Sequence, residues 1–200
     1  MQFNDFKYPL DWSNDELDIY KSFYKEIWHE KEYDRFGVCI ESNDVVLDLG
    51  ASIGLFSQWA ISKGASKVIA LECNDKHYEY LIQNISDNIH PIKGLVSNSE
   101  WNLEKIYNEM NITSVDFAKI DIEGWEYDLL LNTPDYIFNT INKFAIELHV
   151  WGMFKNDVKE FVQIMQLLEK LSKNGYCYSI ERIHTNTNLY MLYAKKINKI

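Results

Sequence analysis

Between Val45 and Phe56 the chain reads Val-Val-Leu-Asp-Leu-Gly-Ala-Ser-Ile-Gly-Leu-Phe: a short apolar run with an acid near its end, a glycine-punctuated turn, then a helical pattern. A second apolar run, Lys67 to Leu71, closes on Glu72. Glycine at a strand end lets a ligand approach the backbone with no Cβ in the way. An acid at the end of the next strand offers two oxygens to the two hydroxyls of a ribose, the arrangement used at the carboxyl ends of strands in open α/β sheets. These two segments together constrain the fold to an α/β sheet with a nucleoside site at one end.

The glycine spacing narrows the ligand. Asp48-x-Gly50-x-x-x-Gly54 differs from the G-x-G-x-x-G of dinucleotide folds, which sets a pyrophosphate on a helix N-terminus. Ser52 stands two residues after Gly50, no Gly-Lys-Ser/Thr follows, and Asp48 would repel a pyrophosphate. An acid beside the turn suits a ligand with positive charge, such as the aminoacyl and sulfonium groups of S-adenosylmethionine.

A chain of 200 residues with 46% hydrophobic content supports one domain with a full core. The formal net charge is -10 and the basic residues are scattered, which argues against a nucleic-acid partner, because backbone binding needs a basic surface. Cys39, Cys73 and Cys177 fit neither a zinc spacing nor a disulfide framework and point to a reducing compartment. With no secretory leader and no membrane-spanning run in the sequence, the expectation is a cytoplasmic protein with no membrane partner. Nothing in the sequence indicates an oligomeric state.

The spacing of Leu17, Tyr20, Phe23, Tyr24, Ile27 and Trp28 predicts a helix over Asp15 to Tyr33, opened by a capping box of Ser13 and Glu16. Its aromatic stripe is expected to be core or a lid over the site. Strands are predicted at Val45–Leu49, Lys67–Leu71, His90–Ser97, Phe117–Ile122, Phe144–Val150, Tyr176–Arg182 and Asn188–Ala194. Helices are predicted at Ile53–Lys63, His77–Asn88, Leu103–Met110, Trp125–Leu131 and Val158–Lys173, the last stopped by Gly175. A polar turn, His184 to Asn188, joins the last two strands. The expected fold class is α/β: a mainly parallel sheet with helices on both faces and a C-terminal antiparallel hairpin. Residues 1–44 are expected to form a helical segment packed on a core domain of residues 45–200.

Four stretches carry a family resemblance: Asp48-Leu49-Gly50-Ala51-Ser52-Ile53-Gly54, Leu71-Glu72, Lys119-Ile120-Asp121-Ile122-Glu123-Gly124-Trp125-Glu126 and Glu147-Leu148-His149. They resemble the FkbM family of S-adenosylmethionine-dependent methyltransferases, from about Glu26 to the C-terminus. The resemblance implies a seven-stranded, Rossmann-like class I methyltransferase fold, S-adenosylmethionine as donor, and a hydroxyl acceptor on a sugar or natural product. The segment between the third and fourth strands is short for such a family, which implies an open acceptor pocket or one completed by a partner.

In this reading Asp48 serves the aminoacyl side of the cofactor through the turn, which Gly50, Ala51, Ser52 and Gly54 form against the ligand. Glu72, followed by Cys73, takes the ribose hydroxyls, and Ser97 and Asn98 meet the adenine. Lys119, Asp121 and Glu123 alternate at the end of the fourth strand and so share a side. Asp121 is placed nearest the transferred methyl, Lys119 neutralises the carboxylates, and Glu126 is structural at a helix N-terminus. Glu147 and His149 end the neighbouring strand, where His149 is the expected general base for a hydroxyl proton. A divalent metal on Asp121, Glu147 and His149 is the lesser alternative, and the expected chemistry requires no metal. Trp125, Trp151 and Phe154 are candidates to stack on a sugar face. His29, His77, His90 and His184 read as surface or loop residues. The leading function is O-methylation of a small polyhydroxylated acceptor. N- or carboxyl-methylation, or an inactive cofactor-binding partner protein, are the alternatives.

Overall fold

The computed structural model describes residues 1–150, 158–183 and 189–197. Its strands are β1 (Val45–Leu49), β2 (Lys67–Glu72), β3 (Ile89–Lys93), β4 (Val115–Ile120), β5 (Ile141–His149), β6 (Tyr176–Arg182) and β7 (Leu189–Lys196). They form one seven-stranded sheet in the order β3-β2-β1-β4-β5-β7-β6. The first five run parallel; β7 lies antiparallel between β5 and β6. The helices are α1 (Asn14–Trp28), α2 (Leu55–Ser62), α3 (Asp75–Asn84), α4 (Leu103–Glu109), α5 (Glu126–Asn132), α6 (Asp135–Phe138) and α7 (Lys159–Lys173).

The strands of a parallel sheet covered on both faces read as continuous apolar runs, and β1, β2 and β4 do so because their side chains enter two separate cores. Leu47, Leu49, Ile69, Leu71, Ala118, Ile120 and Phe144 face the core under α4, α5 and α7. Val46, Val68, Ala70 and Phe117 face the other core with Phe56 and Trp59 of α2 and the aromatic residues of the N-terminal segment. The alternation decides where polar residues land. Asp48 and Lys119 lie on the second face, and the register pairs them directly across β1 and β4.

The predicted capping box opens α1: Ser13 N donates to Glu16 Oε2 at 2.7 Å, and Glu16 N donates to Ser13 Oγ at 3.2 Å. The helix ends at Trp28, five residues before the expected Tyr33. His29 N and Glu30 N both donate to Lys25 O, at 2.9 and 3.0 Å, and Lys31 takes a left-handed φ of 55°. This reversal drives Tyr33 into the core. Strand β3 stops at Lys93, short of the expected Ser97, and β4 stops at Ile120, ahead of Asp121. The short helix α6, behind Pro134, has no counterpart among the predicted elements. Trp151, Phe154 and the His184–Asn188 turn lie outside the described residues.

Candidate active site

A cavity of about 620 Å³ opens at the carboxyl ends of β1, β2, β4 and β5, roofed by α1 and the segment after it. Ligands in open α/β sheets bind in this crevice because the helices and loops that follow the strands leave space there. Along one side run the turn residues Gly50, Ala51 and Ser52, then Leu71 and Glu72, then Leu95 and Val96. Gly50 holds φ 82°, and a Cβ there would fall 1.8 Å from Asp121 O. That glycine lets the ends of β1 and β4 close on each other; Asp121 N donates to Leu49 O at 3.1 Å.

Glu72 is buried at the cavity wall. Its Oε2 accepts from Ser52 N at 2.7 Å and its Oε1 from Asn74 N at 2.7 Å. Each oxygen keeps a second lone pair for a donor in the cavity. Cys73 also lines this side and is exposed, with its thiol pushed up by burial and by the Glu72 charge.

At the other side, Lys119, Asp121, Glu147 and His149 line the same cavity. Ile120 pairs with Ile146, so Asp121, just past the end of β4, lies beside Glu147 within β5. Lys119 is buried and reaches the turn itself: Nζ donates to Gly50 O at 2.6 Å and sits 3.4 Å from both Asp48 Oδ1 and Asp121 Oδ2. Burial alone would lower its pKa, but the Asp121 and Asp48 carboxylates override that and raise it.

Behind the cluster, Glu126 is fully buried at the start of α5. Its Oε1 accepts from Ile122 N and Gly124 N, both at 3.1 Å, and meets Nδ1 of His149 at 3.0 Å. One carboxylate therefore fixes both the turn, in which Glu123 and Gly124 take left-handed φ of 54° and 95°, and the histidine ring. Nε2 of His149 is left facing Glu123 Oε2 at 3.5 Å. Burial works against protonation of His149, but the bond to Glu126 and the charges of Glu126, Glu147 and Asp121 push it up to about 9. Burial and the Asp121 charge push the Glu147 carboxyl up to about 8.

Several sequence-predicted residues sit elsewhere. Asp48 is fully buried beneath the turn and does not line the cavity; its Oδ2 accepts from Ser57 Oγ at 2.6 Å, and it acts through Lys119. Gly54 caps α2 with φ 91° and packs against Leu81 rather than the cavity. Ser97 is buried, its Oγ accepting from Glu100 N at 3.2 Å, and Asn98 N points to Asp128; neither lines the cavity, because the chain turns away after β3. Gly94, Leu95 and Val96 take that place.

Other cavity residues also escaped the sequence reading. His77, expected on the surface, is half-buried and lies 3.2 Å from the Tyr20 hydroxyl, which also meets Ser52 Oγ at 3.1 Å. Glu32 and Tyr33, from the reversal after α1, enter beside Asp121 and Glu147. Burial and the neighbouring Glu26 push the Glu32 carboxyl up to about 7. The available signal was an acid within an otherwise aromatic stripe.

Two family domains account for most of the chain. The TRM5/TYW2 methyltransferase domain matches residues 13–119, more than half of its length, and the methyltransferase FkbM domain matches residues 96–178. The chain belongs to the class I S-adenosylmethionine-dependent methyltransferases. Solved structures sharing this methyltransferase fold include a putative rRNA methylase from Clostridium thermocellum, with TM-score 0.61 and 11% identity over 86% of this chain and 96% of that one. Aeropyrum pernix fibrillarin, solved with natively bound S-adenosyl-L-methionine, has TM-score 0.58 and 13% identity over 86% and 75%. A precorrin-6y C5,15-methyltransferase from Geobacter metallireducens has TM-score 0.55 and 10% identity over 98% and 97%. Hemolysin A of Brachyspira hyodysenteriae is 36% identical over 81 residues, which span 40% of the methyltransferase but 30% of that relative's length. Among the described residues no helix is long and apolar enough to cross a membrane.

Proposed function

We propose that this methyltransferase transfers a methyl group to a hydroxyl of a small polyhydroxylated acceptor, a sugar or a comparable natural product. The observation that carries the reading is a single cavity with a paired-oxygen acceptor, Glu72, on one side and the Asp121, Glu147 and His149 cluster on the other. The donor set fits S-adenosylmethionine. Glu72 would hold the ribose diol, the Gly50–Ser52 turn would receive the aminoacyl group, and the apolar slot of Leu71, Leu95 and Val96 would accept a flat base. When bound, the cofactor supplies an already activated methyl on a sulfonium.

The chain's own residues then have three tasks. Asp121 positions the acceptor beside the methyl. Trp125, Phe23 and Tyr33 at the cavity wall exclude water and offer apolar faces to a sugar ring. Glu147, pushed up to about 8 beside His149, takes the hydroxyl proton in its ionised form, the fraction of which grows as pH rises through 8, and His149 holds that carboxylate's charge.

Some fold relatives are described as RNA-modifying, but a nucleic-acid acceptor does not suit this cavity. The net charge is -10 and the cavity's lysine, Lys119, is already committed to carboxylates. Methyl transfer to a panel of sugars and polyols, read by mass spectrometry, tests the proposal. Glu147→Gln and His149→Ala are expected to lower kcat by about 10²- to 10⁴-fold with cofactor affinity retained. Full activity of both variants on an amine acceptor would overturn the hydroxyl reading.

A further inference from the structure

Asp121, Glu123 and His149 each present a ligand atom to one point at the cavity mouth, and these atoms all lie within 4.8 Å of one another. We propose that Asp121, Glu123 and Nε2 of His149 form a binding site for a divalent cation, which holds adjacent hydroxyls of the acceptor. The inference rests on the methyltransferase reading for its purpose, though not for the existence of the site.

Three observations converge on it. Glu126 holds Nδ1 of His149 at 3.0 Å, so the ring is locked with Nε2 toward Glu123 and Asp121. A histidine whose far nitrogen is fixed by a buried carboxylate is the usual outer arrangement of a metal-binding imidazole. Secondly, Glu126 Oε2 is buried with no hydrogen-bond partner among the described residues, which leaves carboxylate charge in the interior directly behind the ring. Burying such charge is costly unless positive charge on the ring balances it, and a cation on Nε2 would supply that charge in place of the second imidazole proton. Thirdly, the local balance is negative. Asp121, Glu123 and Glu126 meet at or directly behind this point, while Lys119 is shared between Asp121 and Asp48.

Two carboxylates and one imidazole make a hard, mixed donor set of the kind that takes Mn²⁺ or Mg²⁺ and leaves positions for other oxygens. Metal–ligand bonds of about 2.1 Å bring neighbouring ligand atoms to roughly 3 Å. Closing to that distance requires a small movement, and Glu123, with a side chain 79% exposed, is free to make it. Its open side faces the cavity, where a vicinal diol would chelate the ion. This differs from the expected Asp121, Glu147 and His149 set: Glu123 takes the ligand position, and Glu147 is left to receive the proton.

The test is titration with Mn²⁺ alone, followed by electron paramagnetic resonance of the free ion, on the full chain without cofactor. One ion per chain is expected to bind, and Glu123→Gln and Asp121→Asn are each expected to weaken it at least about tenfold. Glu123→Gln changes an exposed side chain, so it tests the site without threatening the fold. A remote acidic control, Glu169→Gln, is expected to leave binding unchanged. Absence of Mn²⁺ binding up to millimolar concentration, or binding indifferent to Glu123→Gln, would overturn the proposal. S-adenosylhomocysteine titrated into the same samples separates the two readings. Its binding without Mn²⁺ removes the metal site alone, and Mn²⁺ binding without it removes the cofactor reading alone.

Discussion

Lys119 shows how much one residue can organise here. Its ammonium is enclosed by Asp48, Asp121 and the carbonyl of Gly50, so it ties the cavity's acid cluster to the turn that closes β1. Removing one partner of a buried ion pair leaves an uncompensated charge, which costs about 3–5 kcal/mol. Lys119→Met is therefore expected to destabilise the protein by about that much in urea unfolding. Adding Asp48→Asn is expected to restore part of the loss, because the orphaned carboxylate is removed and Ser57 can still donate to the amide oxygen. Additive losses in the double variant would show that the two side chains are energetically independent. The sequence made Glu72, Asp121, Glu147 and His149 legible, since acids and a histidine at the ends of apolar strands have few structural uses. It did not reveal how deeply Asp48 lies beneath that turn, because burial there depends on Ser57 of the next helix and Lys119 of a strand about seventy residues away, neither visible in local spacing.

Among elements, the β1–α2 turn bears the tightest geometry. Gly50→Ala is expected to cost at least about 2 kcal/mol, combining left-handed strain with the clash against Asp121 O. It should also part the ends of β1 and β4, so weakened S-adenosylhomocysteine binding at a temperature where the variant stays folded is the expected companion effect. A variant as stable as the parent would mean that the turn relaxes freely. Strands and helices with a clear apolar period were legible to within a few residues. The exceptions have physical causes: α1 ends early because Lys31 reverses the chain, and β3 ends early because Leu95 N donates to Glu100 Oε1 and Leu95 O accepts from Trp101 N, both at 3.2 Å, instead of pairing with β2. That early end moved Ser97 and Asn98 off the cavity and put Leu95 and Val96 against it.

Across the whole molecule, packing α1 and its following segment over the sheet buries Glu32 among other acids. Its carboxyl is pushed up to about 7 from an ordinary 4.5, by burial first and then by Glu26, against the pull of Arg35. A carboxyl raised in this way favours the folded state most below pH 4.5, and the contribution is lost as pH rises through 7. The stability difference between Glu32→Gln and the parent is therefore expected to grow in favour of the variant from pH 5 to pH 8. An upper bound is about 3 kcal/mol, measured by urea unfolding at each pH. An unchanging difference would place Glu32 in solvent. This arrangement was illegible in the sequence, because nothing within the Glu32 neighbourhood says that the segment folds over a site built from residues 50 to 149.

Calorimetric titration with S-adenosylhomocysteine asks whether the cavity between Glu72 and the Asp121–Glu147–His149 cluster is a cofactor site. Micromolar binding by the parent is expected, with at least about tenfold weaker binding by Glu72→Ala, as loss of hydrogen bonds to a charged group implies. A folded protein that takes up no ligand, or a Glu72→Ala variant that binds as tightly as the parent, would contradict the cofactor reading.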